Sequence, residues 1–88
     1  EILMRKSKAF QFQGQWNKAI ELLLEISEKH STDILADDAL FQLGNIYENH
    51  LFEFDKASEY YFQLMKNYPG SLFVTEARKR YRSLKEIL

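Results

Sequence analysis

At 88 residues, with no cysteine and a formal net charge of −1, the chain is sized for one small domain that buries roughly 60–65% of its unfolded surface. The missing cysteines exclude a disulfide framework and thiolate metal sites, which suits reducing and oxidising compartments equally. No apolar run reaches the length of a membrane span, the first residues lack a signal-peptide pattern, and the chain opens mid-pattern without an initiator Met, so it reads as a piece of something longer.

Taken in order, the apolar spacing predicts five helices, near residues 2–13, 15–29, 34–49, 54–67 and 71–86. Gly14 interrupts the first helix, and Gln15 or Asn17 can start the second. Trp16, Ala19, Ile20, Leu23 and Ile26 then draw one apolar stripe at helical steps of three and four. His30-Ser31-Thr32 ends that helix, and Asp33 is placed to cap the third, with Asp37 and Asp38 near the positive end of its dipole. Ala36, Ala39, Leu40, Leu43, Ile46 and Tyr47 form the third stripe, and Phe54, Ala57, Tyr61, Leu64 and Tyr68 the fourth. Pro69-Gly70 stops the fourth helix, Pro because it cannot continue one and Gly because it accepts positive φ. Ser71 is expected to cap the fifth, whose stripe is Val74, Ala77, Tyr81, Leu84 and Leu88. No stretch alternates with period two for long enough to make a strand. The predicted class is all-α.

The sequence also resembles itself at an offset of 38 residues. Trp16-Asn17-Lys18-Ala19 falls on Phe54-Asp55-Lys56-Ala57, Leu22-Leu23-Leu24 on Tyr60-Tyr61-Phe62, and Ala39 on Ala77. A period of this length marks a stacked array whose units are each too small to bury an apolar face alone. Gly44 lies inside a strong helix pattern, where it costs about 1 kcal/mol relative to Ala, so close approach of another backbone is expected there, with Ala57 as its counterpart. Ser7 and Ala19 hold the corresponding places in the first pair, and antiparallel hairpins with short loops follow.

Leu40-x-x-Leu43-Gly44-x-x-Tyr47, followed by Ala57, Tyr61, Leu64 and Pro69, resembles the tetratricopeptide repeat. In the first pair Ser7, Phe10, Gly14, Ala19, Leu23 and Ile26 fit, while Lys6 and Ser31 depart from the usual Leu and Pro. The loop from Tyr68 to Phe73 resembles bacterial envelope members of the family, the outer-membrane assembly lipoproteins and Tol-associated periplasmic proteins, which implies an envelope location and leaves the cytoplasm open. The resemblance implies a single domain over 1–88: hairpin 1 at about 1–30, hairpin 2 at about 33–68 and a C-terminal capping helix at about 71–87. Its expected form is a short right-handed superhelix.

The titratable residues bear on catalysis by their placement. His30 and His50 fall at a helix end and in a turn, without a carboxylate at metal-ligand spacing on one helical face. Asp37 and Asp38 point about 100° apart on a helix and cannot share a substrate. No phosphate loop, nucleophile elbow or zinc motif appears. The expectation is a non-enzyme with no catalytic residue, metal, cofactor or small-molecule substrate.

Charge bears on the partner. Residues 1–8 sum to +2, residues 9–77 to −7 and residues 78–88 to +4. The run Arg78-Lys79-Arg80-Tyr81-Arg82 has the cation density that phosphate contacts use, but Tyr81 lies on the apolar stripe and the acidic body repels a polyanion. Protein or peptide is therefore the expected partner. Beside the core stripe of each odd-numbered helix runs a second line of positions: Met4, Lys8 and Gln11 flanked by Phe12, then Phe41, Asn45 and Glu48 with Asp38 and Asn49 beside them, then Lys79, Ser83 and Glu86. The resemblance implies that this line faces a concave groove. Phe41 is either an aromatic anchor there or packing between neighbouring helices. Met4 and Gln42 stand where carboxylate-clamping members of the family have Lys and Asn, which argues against a chaperone C-terminus as ligand. The rival reading is self-association of a larger repeat protein through exposed ends, with Ile2 and Leu3 at one of them.

Overall fold

The structure, a computed structural model, describes residues 2–29 and 34–87. Among them the chain forms five helices, α1 (Ile2–Phe12), α2 (Trp16–Lys29), α3 (Ala36–Asn49), α4 (Phe54–Asn67) and α5 (Val74–Ile87), with no strand. Each helix packs on the next, α1 on α2 through α4 on α5, as antiparallel hairpins. The expected roles of His30 and Asp33 lie outside the described residues.

The apolar stripes become one continuous core. Leu23 and Ile26 of α2, Leu43 and Ile46 of α3, Tyr61 and Leu64 of α4, and Ala77 and Leu84 of α5 are all buried in it. Each large apolar side chain so buried stabilises the fold by roughly 1.5–3 kcal/mol. Ser7 crosses to α2 by donating its hydroxyl to the Ala19 carbonyl at 3.4 Å, which fixes the first helix crossing at the two small residues expected there.

The second crossing differs from expectation. A Cβ built on Gly44 would lie 2.5 Å from Cε1 and 2.8 Å from Cδ1 of Tyr61. The closest approach is thus made by the Tyr61 ring laid across the helix. Ala57, fully buried one turn before Tyr61, lets α4 sit close enough for the ring to reach.

The two turns inside the hairpins occupy matching places 38 residues apart. Gly14 ends α1 with φ +76°; its N–H bonds the Gln11 carbonyl at 3.0 Å and that of Gln15 bonds Phe10 at 2.8 Å, a Schellman closure. At the corresponding place after α3 stands Phe52 with φ +56°, a conformation costly for a bulky side chain. Gly70 does not use positive φ. After Pro69 the chain makes two tight turns, with Ser71 N–H bonded to Tyr68 and Val74 N–H to Ser71. The Ser71 hydroxyl accepts from the Phe73 N–H at 3.0 Å and donates to Asp37 at 2.6 Å. Ser71 therefore ties the loop to α3, and α5 begins three residues later than expected.

Candidate functional site

Three odd-numbered helices, α1, α3 and α5, carry the expected site residues, and two seams join them. In the seam between α1 and α3, the Gln11 amide donates to Gln42 at 2.7 Å and lies 3.2 Å from the Ser7 hydroxyl. The Gln42 amide donates to Asp38 at 3.0 Å and to the Met4 sulfur at 3.2 Å. These side-chain amides are half-buried, so they hold the helices at a fixed separation while keeping an edge open to solvent.

The seam between α3 and α5 is more deeply closed. Phe41 stacks on Phe73 with centroids 4.9 Å apart and approaches Tyr61 at 6.0 Å. Glu48 is buried, receives a hydrogen bond from Arg80 Nε at 3.1 Å and is ion-paired with the same guanidinium through Nη2. The Tyr61 hydroxyl lies 2.9 Å from Glu48 and 2.7 Å from the Asn45 side-chain oxygen, and shares its one proton between them. Burial, then the hydrogen bond and negative charge of Glu48, push the Tyr61 phenol well above the usual tyrosine range, with Arg80 opposing in part. The Arg80 guanidinium is likewise shifted up, first by its hydrogen bond to Glu48. Among the described residues no buried side-chain polar atom is left without a partner, as a network inside a low-dielectric interior requires.

This arrangement redistributes the expected site. Met4 is 4% exposed and belongs to the core, where its sulfur accepts from Gln42, so it lines no open groove. Glu48 is engaged by Tyr61 and Arg80. Phe41 is half-buried against Phe73 and Tyr61, the packing arrangement of the two weighed for it. Asn45 and Gln11 are half-buried with part of their hydrogen-bonding capacity used. Lys8, Asn49 and Lys79 are exposed, Ser83 is half-buried, and Phe12 stands 95% exposed at the end of α1.

What remains open on α3 is a ridge at spacings of four, three and four: Asp38, Gln42, Asn45 and Asn49. Gln11 extends it onto α1, and Lys8 and Lys79 stand exposed on α1 and α5. Side-chain amides both donate and accept, so such a ridge can meet the alternating N–H and C=O groups of an extended peptide. Gln42 and Arg80 were not among the expected site residues, although Gln42 stands one helical turn beyond Asp38 and so on the same face.

On the other side, a cleft of about 350 Å³ between α2, α3 and α4 is lined by Ser27, Glu28, Leu40, Gln63, Asn67 and Tyr68. Among the described lining residues Glu28 is the one carboxylate. Among the described residues, no three His, Cys, Asp or Glu side chains are placed to hold a metal, and no helix is long and apolar enough to cross a membrane. His50, at the end of α3, stacks on Trp16 with centroids 3.9 Å apart.

No curated protein and no solved structure matches the chain. The profile of the tetratricopeptide repeat matches residues 38–71, and it lends no support to the envelope branch suggested by the loop. The match runs from the first turn of α3, through all of α4, to Ser71, and it supports the tetratricopeptide-repeat family for this hairpin.

Proposed function

We propose that this chain is a non-catalytic protein-binding module that receives an extended peptide, or an extended edge of a protein surface, along the face of α1, α3 and α5. Tetratricopeptide repeats generally mediate protein–protein interaction. The observation that carries the reading is the amide ridge of Gln11, Gln42, Asn45 and Asn49, the first three held in register by side-chain bonds, yet open along one edge. Its groups complement a peptide backbone, and Lys8 and Lys79 favour an acidic residue beside it. The right-handed superhelical form and a role as a scaffold in a larger assembly belong to the same proposal.

Selection of peptides from a random library, followed by calorimetry on variants, tests it. Combined Lys8→Ala, Asn49→Ala and Lys79→Ala should weaken the selected peptide about tenfold or more, since each contact of this kind contributes about 0.5–1.5 kcal/mol. Glu21→Ala with Lys29→Ala, both exposed on α2, should leave affinity unchanged. The reverse pattern would refute the ridge as the site.

A further inference from the structure

The internal repeat identifies a second surface. On α3, the positions around the crossing with α4 are Leu40, Leu43, Gly44 and Tyr47, all buried. Thirty-eight residues on, the corresponding positions of α5 are Arg78, Tyr81, Arg82 and Lys85. Arg82 stands where Gly44 admits the Tyr61 ring, so no helix can cross α5 as closely as α4 crosses α3. Yet this face is shaped. Asp55, Ser58, Glu59, Phe62, Tyr81 and Lys85 line a cleft of about 270 Å³ between α4 and α5. Phe62 is 44% exposed and tilted against Tyr81 at 5.7 Å, and the Lys85 ammonium lies 5.4 Å from the Tyr81 ring centre.

Charge divides the cleft lengthwise. One wall, on α4, carries Asp55 and Glu59; the other, on α5, carries Lys85, with Arg78 and Arg82 seven and three residues before it on the same side of the helix. All five are exposed, and none makes an ion pair among the described residues. Because α4 and α5 run antiparallel, with Phe62 against Tyr81, Asp55 and Glu59 stand within about 5 Å of the height of Lys85 and Arg82 respectively. A two-fold axis running along the cleft, parallel to the helices, turns α4 of one copy onto α5 of the other and preserves height. It sets Asp55 and Glu59 of each copy against Arg82 and Lys85 of the other, with Phe62 and Tyr81 meeting in the middle. An interface between identical copies must be self-complementary in this way.

We propose that the chain pairs with a second copy of itself through the α4–α5 face, as a two-fold dimer with an aromatic centre and two opposed charge rims. A nucleic acid would meet the acidic wall of α4, and a purely acidic peptide would leave that wall unmatched. The surface is separate from the amide ridge, so dimerisation and peptide binding can fail independently.

The test is sedimentation of the full chain over a concentration series at low and at high salt. The wild-type chain should dimerise, and more weakly in high salt, because rim charges are screened. Glu59→Lys and Arg82→Glu should each weaken the dimer about tenfold or more, while circular dichroism shows each still folded, as their exposure requires. Mixed in equal amounts, the two variants should recover the dimer, since each then carries the complement of the other. Asp55→Lys with Lys85→Glu supplies a second such pair. A wild-type chain that stays monomeric would overturn the proposal, as would variants that dimerise normally or a mixture that stays monomeric. A monomer that binds poly-glutamate or an RNA oligonucleotide through Arg78 and Arg82 would overturn it in favour of an acidic partner.

Discussion

Replacing Gly44 with Ala isolates the helix crossing on which the second hairpin depends. Propensity alone favours the change by about 1 kcal/mol, since Gly is that much worse than Ala inside a helix. The new methyl, however, would sit 2.5–2.8 Å from three atoms of the Tyr61 ring, against about 3.5–4.0 Å for carbons in comfortable contact. The ring must retreat by about 1 Å. It is fully buried, and its hydroxyl is held by Asn45 and Glu48, so retreat strains or loses a hydrogen bond to a charged group, worth about 1.5–3 kcal/mol. The balance is a net loss of about 1–2 kcal/mol. In a domain of this size each kcal/mol lowers Tm by about 4–8 °C, so thermal melts should show a drop of roughly 5–15 °C. The decisive control is the same change in a Tyr61→Leu background, where the obstacle is gone and Ala should be neutral or better. A coupling of that sign ties the cost to the ring. An unchanged Tm for Gly44→Ala, or an equal penalty in both backgrounds, would refute the crossing described here.

Three further outcomes follow from the same contacts. Stability should be level up to about pH 10 and fall above it: the unfolded chain releases the Tyr61 proton near the ordinary tyrosine value of about 10, while the folded chain keeps it. Denaturant melts against pH should show this fall, and Tyr61→Phe should flatten it; a Phe variant with the same slope would contradict the raised phenol. Phe41→Ala should cost about 1–2 kcal/mol of stability in urea melts, because the ring is half-buried and stacked on Phe73; loss of peptide binding with unchanged stability would make it an anchor after all. At Phe52, whose φ is +56°, Gly should equal or exceed the wild type in Tm and Val should fall below it, because β-branching is least tolerated in that region; a Val variant as stable as the Gly variant would contradict the left-handed turn.

Helix existence was legible because each stripe of apolar residues repeats at helical spacing. The bounds of α4 were legible because a turn precedes Phe54 and Pro69 follows. The late start of α5 was not, since it depends on Ser71 reaching Asp37 across 34 residues, a contact that no local preference encodes. Gly44 announced a close approach, but spacing cannot say whether a backbone or a ring makes it. The line of Phe41, Asn45 and Glu48 shows the same limit at the site. A helical wheel gives the residues that share a face; it does not give the neighbour that covers them, and here Phe73, just before α5, and Arg80 of α5 come over. Met4 shared a predicted face with Lys8 and Gln11, yet Gln42 closes over it. With those positions covered, the side-chain amides are what α3 leaves open along this face.

Whether the face of α1, α3 and α5 receives an extended peptide can be read residue by residue from amide shift mapping by nuclear magnetic resonance. A peptide selected for binding to the full chain is titrated into labelled protein. The largest shifts should fall on the amides around Lys8, Gln11, Gln42, Asn45, Asn49 and Lys79, together with the side-chain amides of the two glutamines and two asparagines among them. Shifts concentrated on the exposed faces of α2 and α4, with the ridge silent, would contradict the claim.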